Sequence, residues 1–411
     1  MSRIYNFAIQ ISSLALRLVA LFHPKIKLFV NGRKEVFPYL RKTLSKEDQV
    51  LWVHTASLGE FEQGLPVIER LKHTYPSYKI VVTFFSPSGY EVKKNSDAAH
   101  AITYLPLDTF KNAQQFVDLV NPKLVIFVKY EIWPNYLKIL AERKIPTLLI
   151  SALFKEEQIY FKGYGGFMRK ALHHFSHIFV QNTNSVRLLN EIGITEVTLG
   201  GDTRFDRVME IVERDNHLPF MEEFKIESPV MVAGSTWPED EAVLVPYINA
   251  DNSNLKYVLA PHNIKPEQIS KLKASINKKT ILYSELDNEP LSDYKVLIID
   301  TIGILTKVYS YANIAYVGGG FATGLHNTLE PAVFGIPVII GSNFKGFKEA
   351  EDLVEEGGVI VVNNKEEYHN LMNRLVSDKE FLSRTGEINL NYVNKNKGAS
   401  VQIMDYISTL L

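Results

Sequence analysis

The feature that most constrains the fold is an alternation of short apolar runs with helical segments, repeated in two series along the chain. Runs of four to six mostly apolar residues that alternate with helices are typical of parallel strands buried on both faces. Each series therefore predicts a doubly wound parallel sheet, and together they predict an α/β protein with two Rossmann-like domains. The runs of the first series lie at residues 50–54, 79–84, 102–105, 124–128, 147–150 and 177–180, and those of the second at 230–233, 257–260, 295–299, 314–317 and 337–341.

Length and composition agree with two domains and one short leading segment. With 411 residues, of which 46% are hydrophobic, the chain can bury more than one core. A glycine-containing segment, residues 200–206, separates the two series. We therefore predict a leading segment over residues 1–46, a first domain over 47–207 and a second over 208–411. The polar strand-end loops of two such domains are expected to face a cleft.

The second series contains a glycine-rich turn of a kind that binds phosphate. Three consecutive glycines at residues 318–320 follow the apolar run 314–317, and a helix is predicted to begin near Pro331. Glycines let the backbone approach a phosphate closely, and the first N–H groups of a helix have no partners within it. This order of strand, turn and helix predicts a nucleotide-binding site. The alternative is that the glycines form only a tight turn.

Three polar residues after the glycines suit a nucleotide. Glu330 is placed where its carboxylate could accept hydrogen bonds from two ribose hydroxyls, whereas His326 and Asn327 can donate to phosphate or sugar. The alternative for Glu330 is a favourable charge near the start of a helix. We favour the nucleotide site because the pattern His-Asn-x-x-Glu-Pro accompanies the glycines.

Acidic residues follow two strands of the first series. Glu60 lies in the turn after the run 50–54, and Glu131 follows the run 124–128. The carboxyl ends of strands in open α/β sheets are where such folds place their chemistry, so Glu60 is our candidate general base. The alternative is that Glu60 is only a favourable acid near a helix N-terminus.

The leading segment is both apolar and basic. Residues 1–46 contain nine Lys or Arg against a single acid, Glu35. Residues 4–22 are mostly apolar, with a narrow polar stripe at helical spacing, which predicts a membrane-associated helix that either spans the bilayer or lies at its surface. The basic residues would face anionic headgroups on the cytoplasmic side. The alternative is a hydrophobic docking helix of a soluble protein. The stripe consists of Asn6, Gln10, Ser13 and Arg17.

Several classes of site lack their usual sequence mark. The chain has no cysteine, which excludes disulfides, zinc-thiolate sites and a thiol nucleophile. Its net charge of −1 gives no global nucleic-acid signature. The chain contains no Asp-x-Asp, no P-loop and no His-Glu-x-x-His. These are the motifs typical of metal-dependent nucleotide-sugar transferases, P-loop nucleotide-binding proteins and zinc proteases, respectively. The negative charge of a bound phosphate would then be balanced by helix N-termini and by His and Arg side chains.

Five motifs in order along the chain resemble those of the bacterial 3-deoxy-D-manno-octulosonic acid (Kdo) transferases of lipopolysaccharide assembly. The resemblance runs from the amino-terminal helix to about residue 395. The motifs are HTASLGE at residues 54–60, EIWPN at 131–135, GDTRFD at 201–206, AGST at 233–236 and HNTLEPA at 326–332.

This resemblance implies a type-B glycosyltransferase at the cytoplasmic face of the inner membrane. It implies CMP-Kdo as donor, a lipid A precursor as acceptor, and inversion at the transferred carbon without a metal or other cofactor. The first domain would bind the acceptor, with Ser57 and Gly59 in contact with it, and the second would bind the CMP-sugar.

The resemblance also implies roles for particular residues. Glu60 matches the proton acceptor, Glu131 an acid that supports the transition state, and Arg204 a cation with a similar supporting role. The implied donor-binding residues are Ser235, Thr236, Pro261, His262, Ile302, Gly303, Ile304, Gly319, Gly320, His326, Asn327, Thr328, Leu329 and Glu330.

Three residues depart from the family pattern. Arg204 stands where the family usually has a lysine, Ile304 where an acid is common, and Thr328 where a proline is usual. These departures affect the expected fine geometry rather than the reaction class. Two other functions stay open at this point: a metal-free type-B transferase that uses a UDP-sugar, and a catalytically silent membrane protein that binds a nucleotide-sugar.

Overall fold

The computed structural model describes residues 2–286, 290–322 and 324–411, so Thr323 of the glycine-rich stretch lies outside the described residues. The strands are β1 (Val50–Thr55), β2 (Lys79–Phe84), β3 (Ala101–Tyr104), β4 (Pro122–Val128), β5 (Thr147–Ala152), β6 (His177–Val180), β7 (Val197–Leu199), β8 (Val230–Thr236), β9 (Lys256–Pro261), β10 (Thr280–Leu282), β11 (Val296–Ile298), β12 (Ile314–Val317), β13 (Val338–Gly341) and β14 (Val359–Val362).

Helices separate most of these strands. They are α1 (Ser2–Val19), α2 (Pro24–Lys34), α3 (Val36–Thr43), α4 (Leu58–Thr74), α5 (Pro87–Lys93), α6 (Phe110–Val120), α7 (Pro134–Glu142), α8 (Gly166–Leu172), α9 (Thr183–Glu191), α10 (Arg204–Glu213), α11 (Pro219–Lys225), α12 (Pro238–Ala250), α13 (Pro266–Ser275), α14 (Leu305–Val308), α15 (Leu329–Ala332), α16 (Lys348–Glu356), α17 (Lys365–Ser377), α18 (Lys379–Asn396) and α19 (Ala399–Ser408).

The chain forms two compact units. The first contains Met1–Arg207 together with Lys397–Leu411, and the second contains Val208–Asn396. Each unit has its own seven-stranded sheet, in the order β3-β2-β1-β4-β5-β6-β7 in the first and β10-β11-β9-β8-β12-β13-β14 in the second. All the strand pairs described are parallel, which confirms the predicted pair of doubly wound parallel sheets.

The first sheet is buried on both faces, as continuous apolar strands require. Trp52 and Phe127 belong to the hydrophobic core on one face, whereas Leu51 and Val53 belong to the core on the other. In the register of the sheet, His54 lies opposite Thr83 of β2. Neighbouring strands therefore present His54 and Thr83 side by side at the carboxyl end of the sheet.

The last residues of the chain, 397–411, return to the first unit, whereas the second domain predicted from the sequence ran to residue 411. Ile403 and Ile407 of α19 are fully buried in the core between α4 and the first sheet. The Asp206 carboxylate also accepts hydrogen bonds from the backbone N–H groups of Gly398 and Ser400, at 2.6 and 2.7 Å. Apolar burial and a buried carboxylate thus hold residues 397–411 on the first unit.

Helix α1 docks on the first unit through polar contacts and leaves an apolar face exposed. The Tyr5 hydroxyl donates to the Asp108 carboxylate at 2.8 Å, and the Asn6 and Asn135 amides pair at 3.3 Å. Part of the polar stripe therefore faces the protein. The exposed face consists of Ile4, Phe7, Ile11, Leu14, Leu18 and Val19. Among the described residues, no helix has the length and apolar character needed to cross a membrane.

Candidate active site

Glu60 lies at the start of α4, directly after β1. Ser57 is the N-cap of this helix and its hydroxyl accepts the Glu60 N–H at 3.4 Å, while the Glu60 carboxylate accepts the N–H of Ala56. This reciprocal pair is a form of capping box, so the helix-start role considered for Glu60 is present in the structure. The same contacts fix one carboxylate oxygen, Oε2, and hold the side chain at the strand end.

The surroundings of Glu60 raise the pKa of its carboxyl towards neutrality. Burial, foremost, and the negative charge of Glu131 raise the pKa of Glu60 to about 7, against the opposing effects of the Ala56 N–H and of Lys129. A carboxyl with a pKa near the working pH can both take up and release a proton at useful rates. The structure therefore places Glu60 and Glu131 close enough to interact, with Glu60 suited to proton transfer.

Glu131 ends a chain of hydrogen bonds that runs through the first sheet. Its Oε2 accepts from His54 Nε2 at 3.0 Å and from the indole N–H of Trp133 at 2.8 Å. His54 Nδ1 lies 2.8 Å from the Thr83 hydroxyl, which accepts the indole N–H of Trp52 at 2.8 Å. His54 and Thr83 are fully buried, so this part of the chain of hydrogen bonds is shielded from water.

The direction of this chain of hydrogen bonds follows from the indole donor of Trp52 at one end and the carboxylate acceptor of Glu131 at the other. A carboxylate only accepts hydrogen bonds, so the Nε2 of His54 must carry the proton that Glu131 receives. In a neutral ring, Nδ1 then accepts from the Thr83 hydroxyl. The arrangement holds one oxygen of Glu131 between two N–H donors and sets the tautomer of His54.

Arg204 is held by Asp202 at the start of α10. Its Nε and Nη2 lie 2.9 and 2.8 Å from Asp202 Oδ2. Asp202 Oδ1 accepts from the Arg204 N–H at 2.9 Å and from the Gln63 amide at 2.7 Å. Burial raises the pKa of Tyr130, and the charges of Asp202 and Glu60 add to that effect while Arg204 opposes it. The structure thus brings Arg204 into the electrostatic neighbourhood of Tyr130 and Glu60.

Two residues at the carboxyl edge of the first sheet adopt left-handed backbone conformations without being glycine. Lys129, after β4, has φ 68° and Ser151, in β5, has φ 52°. Such conformations cost of order 1–3 kcal/mol each and cluster at functional sites. The Ser151 hydroxyl is 2.9 Å from that of Thr203, next to Arg204. The predicted acceptor-binding residues Ser57 and Gly59 lie at the same edge, and a Cβ built on Gly59 would meet no atom within 4 Å.

The predicted donor-binding residues all lie in the second unit, at the carboxyl ends of its strands. Ser235 and Thr236 end β8, and Pro261 ends β9 with His262 after it. The His262 N–H donates to the Thr236 carbonyl at 2.9 Å, and Ser235 has φ 55°, a strained value for serine. The ends of β8 and β9 therefore lie side by side at this edge of the second sheet.

Three rings form a cluster above these strand ends. Trp237 stacks on His262 with ring centroids 4.7 Å apart and planes inclined by 17°, and His262 lies 4.6 Å from the His326 ring. The Trp237 indole donates to His326 Nε2 at 3.2 Å, which leaves the proton of a neutral His326 on Nδ1. Burial, foremost, and the nearby His262 lower the pKa of His326.

The triple glycine is required by close backbone packing. A Cβ on Gly318 would lie 2.3 Å from the Ser235 carbonyl oxygen, and one on Gly320 would lie 2.6 Å from the Gly341 nitrogen. Gly319 has φ 92° and donates its N–H to the Asp240 carboxylate at 2.8 Å. The fully buried Asp240 carboxylate also accepts from the Tyr316 hydroxyl and from the backbone N–H of Trp237. The tight turn considered as the alternative is therefore real, and it forms part of the same strand-end surface.

The helix expected after the glycine turn is a single turn. It was predicted near Pro331, and α15 spans only Leu329–Ala332. A helix this short has few aligned peptide dipoles, so its N-terminus adds less to anion binding than the sequence suggested. The Asn327 amide donates to Glu330 at 3.2 Å, and its oxygen accepts the Leu329 N–H at 3.1 Å. The Thr328 hydroxyl is buried and has no hydrogen-bond partner among the described residues.

The remaining donor-binding segment is an exposed turn. Ile302 is 82% exposed, Gly303 has φ 97°, and Ile304 precedes α14. The left-handed backbone at Gly303 is the reason that glycine occupies this position. The structure places the turn after β11, at the same edge as β9.

Thr83, Trp237 and Asp240 belong to these two strand-end regions and have no predicted role from the sequence. The sequence does indicate that a polar partner such as Thr83 is needed. Trp52 and His54 are two residues apart on one buried strand, so their ring nitrogens lie on the same face and require hydrogen-bond partners. Which residue supplies that partner depends on the register of β1 against β2.

Among the described residues, no group of three or more His, Asp or Glu side chains is arranged to hold a metal ion.

Comparisons with known proteins agree with the motifs. A family model described as 3-Deoxy-D-manno-octulosonic-acid transferase (kdotransferase) matches residues 31–207. The 3-deoxy-D-manno-octulosonic acid transferase of Aquifex aeolicus is 31% identical over 355 residues, covering 84% of this chain and 91% of that protein. The transferase of the same name from Haemophilus influenzae is 29% identical over 380 residues, covering 88% and 87%.

Solved structures show the same fold at low identity. The UDP-GlcNAc 2-epimerase of Neisseria meningitidis matches with a TM-score of 0.62 at 17% identity, covering 88% of this chain and all of that one. Acinetobacter baumannii MurG matches with a TM-score of 0.57 at 12% identity, covering 88% and 99%. These likenesses bear on the fold alone, and the predicted fold of two Rossmann-like units, type B among glycosyltransferases, is confirmed. The chain belongs to the 3-deoxy-D-manno-octulosonic acid transferase family and is a glycosyltransferase.

Proposed function

We propose that the protein transfers Kdo from CMP-Kdo to a lipid A precursor in lipopolysaccharide assembly, with inversion and without a metal, and that Glu60 is the general base. The observation that carries the proposal is the position of Glu60 at the carboxyl end of β1, beside Glu131, with a pKa raised to about 7. Family membership supports the transferred sugar.

The proposed step is a direct displacement. A hydroxyl oxygen of the acceptor attacks the anomeric carbon of Kdo while the bond from that carbon to the CMP phosphate oxygen breaks. The acceptor proton passes to Glu60, and CMP leaves with the bonding electron pair. General base catalysis of this kind contributes about 10²- to 10⁴-fold. Positive charge develops on the sugar, and the Glu131 carboxylate would stabilise it.

The test of this function is the product. Purified protein is incubated with a lipid A precursor and either CMP-Kdo or UDP-GlcNAc, and the lipid is analysed by mass spectrometry. We expect the mass of one or more Kdo units to be added with CMP-Kdo alone. Transfer from UDP-GlcNAc would instead support a UDP-sugar transferase, and binding of CMP without any product would support a silent binding protein.

Arg204 is proposed to offset the negative charge of the donor. Arg204→Lys should keep most of the activity because the charge is retained, whereas Arg204→Ala should lower kcat by about 10²-fold, the cost of removing one charge-stabilising donor. The measurement is steady-state transfer kinetics of both variants, with thermal melting as the control for folding. Equal losses in the two variants would show that the planar guanidinium paired with Asp202 is required.

The exposed face of α1 is proposed to bind the cytoplasmic face of the inner membrane. Phe7, Leu14 and Leu18 are 60–64% exposed and lie on one side of the helix, opposite the contacts of Tyr5. Apolar side chains exposed in such a row suit a helix that lies at the bilayer surface. Nearby Lys and Arg each add about 1 kcal/mol of attraction to anionic lipid.

Replacing Phe7, Leu14 and Leu18 together by Gln should abolish flotation with vesicles that contain anionic phospholipid. The three side chains are exposed, so the fold should be retained. Val376→Gln with Leu390→Gln is the matched control, since both residues are part-exposed apolar positions in the second unit. A triple variant that floats as well as the unaltered protein would place the membrane contact elsewhere.

A further inference from the structure

The first unit contains a large cavity that is not lined by Glu60, Glu131 or Arg204, the residues proposed to act in catalysis. It has a volume of about 1040 Å³ and opens between α7 on one side and α8 with the turn before it on the other. Most of the lining is carbon, since it is formed largely by glycine, alanine, proline and aromatic residues. Residues that contribute such surface are Pro134, Ala141, Gly163, Gly166, Phe167 and Ala171.

The lysine and glutamate side chains at this cavity are exposed and form its rim, while two other polar residues, the buried Asn135 and the half-buried His174, belong to its lining. Lys138 and Lys170 both line it and are exposed. One acid, Glu142, lies 3.7 Å from the Lys138 ammonium, so the rim keeps a net positive charge. A largely apolar interior with a basic rim fits an amphiphile that has a hydrocarbon chain and an anionic headgroup.

The cavity lies between the candidate catalytic loop and the side of α1 that packs on the first unit. Pro134 begins α7 three residues after Glu131. On the other side, the Phe167 ring lies 5.4 Å from the Tyr5 ring, and Asn135 pairs with Asn6. The cavity thus lies next to the loop of Glu131 at one end and to the docked side of the first turn of α1 at the other.

We propose that this cavity binds an acyl chain of the lipid acceptor, with Lys138 and Lys170 near the anionic headgroup. The proposal rests on the proposed function, because it assumes an acylated acceptor. Pockets of roughly 300–1,000 Å³ hold drug-sized ligands, so the volume accommodates a hydrocarbon chain of the acceptor. A chain seated there would place the acceptor's sugar near Glu131.

Gly166 offers a way to fill the cavity without disturbing the fold. It is the first residue of α8, where it has φ −54°, a value that any residue adopts. A Cβ built on Gly166 would meet no heavy atom within 4 Å. Gly166→Trp should therefore project an indole into the open space. Gln114→Trp, on the exposed side of α6, is the control for adding an indole to the first unit.

The first measurement is binding of dodecyl phosphate below its critical micelle concentration, by titration calorimetry, with inorganic phosphate as the headgroup alone. Each methylene group kept out of the cavity weakens binding by roughly fourfold. We expect saturable binding to the unaltered protein and to Gln114→Trp, and at least tenfold weaker binding to Gly166→Trp. Equal binding by the two Trp variants overturns the proposal, as does binding of inorganic phosphate alone with the affinity of dodecyl phosphate.

The second measurement compares transfer to an acylated lipid A precursor and to its deacylated, phosphorylated disaccharide. Gly166→Trp should raise KM for the acylated acceptor at least tenfold and leave the kinetics with the disaccharide unchanged. An equal effect on both acceptors contradicts an acyl subsite. If the unaltered protein transfers Kdo to neither acceptor, the proposed function fails, and the calorimetry still decides whether the cavity binds an acyl chain.

Discussion

Replacing Glu60 by glutamine should lower the turnover of Kdo transfer by about 10²- to 10⁴-fold, the contribution of a general base. Glutamine keeps the size of the side chain and one oxygen that can accept the Ala56 N–H, so the start of α4 should remain intact. The measurement is kcat with saturating donor and acceptor. Binding of CMP, measured by calorimetry, should stay unchanged, because the candidate nucleotide contacts lie in the second unit. Turnover within a few-fold of the unaltered protein would remove Glu60 from the role of base.

The pH profile provides a second test of Glu60. Its carboxyl must be ionised to accept a proton, so kcat/KM should rise with pH and level off above the pKa of about 7. Glu60→Gln should lack this rise in whatever residual activity it has. A profile in the unaltered protein that is flat between pH 5 and 8 would contradict the assignment.

Replacing Glu131 by glutamine should lower kcat by roughly 10²-fold while the protein stays folded. Both N–H donors that hold Glu131, those of His54 and Trp133, point at the same oxygen. A glutamine oxygen in that place accepts both, so the substitution removes the charge and keeps the hydrogen bonds. Glu131→Gln thus separates electrostatic support of the transition state from positioning.

The same substitution makes a signed prediction about Glu60. The charge of Glu131 helps to raise the pKa of Glu60, so its removal should lower that pKa. The rise in kcat/KM should then occur at lower pH in Glu131→Gln than in the unaltered protein. Thr83→Val serves as the comparison, because it disturbs the orientation of His54 and leaves the charge of Glu131 in place. An unshifted profile in Glu131→Gln would show that the two carboxyls do not interact.

The central strands of both sheets were predictable from the sequence, because burial on both faces leaves a continuous apolar run. The predicted runs 79–84, 177–180 and 314–317 coincide with strands of the structure. The strands that sequence reasoning did not identify, β7, β10 and β14, all lie at sheet edges. An edge strand has a neighbour on one side only, and β7 and β10 are three residues long and partly exposed, so little of the burial signal remains.

The sequence predicts which residues of the candidate site lie at strand ends, but it does not predict the hydrogen bonds that those residues make. Strand ends identify Glu60, Glu131 and His262, because parallel sheets place their loops at one edge. The hydrogen bonds from Trp52 to Glu131 depend on the register of three strands, which the sequence does not specify. The orientation of α1 is a similar case, since the choice between burying its apolar face and burying part of its polar stripe depends on the partners Asp108 and Asn135.

The return of residues 397–411 to the first unit has a consequence for the order of folding during synthesis. All of the second unit leaves the ribosome before the segment that supplies Ile403 and Ile407 to the core beside α4. Domains generally fold as they emerge, so the second unit can fold while the first still lacks part of its apolar core. A nascent chain that stalls before residue 397 would expose that unfilled surface to chaperones and proteases. The unit that carries Glu60 is therefore the last to mature, although most of it is made first.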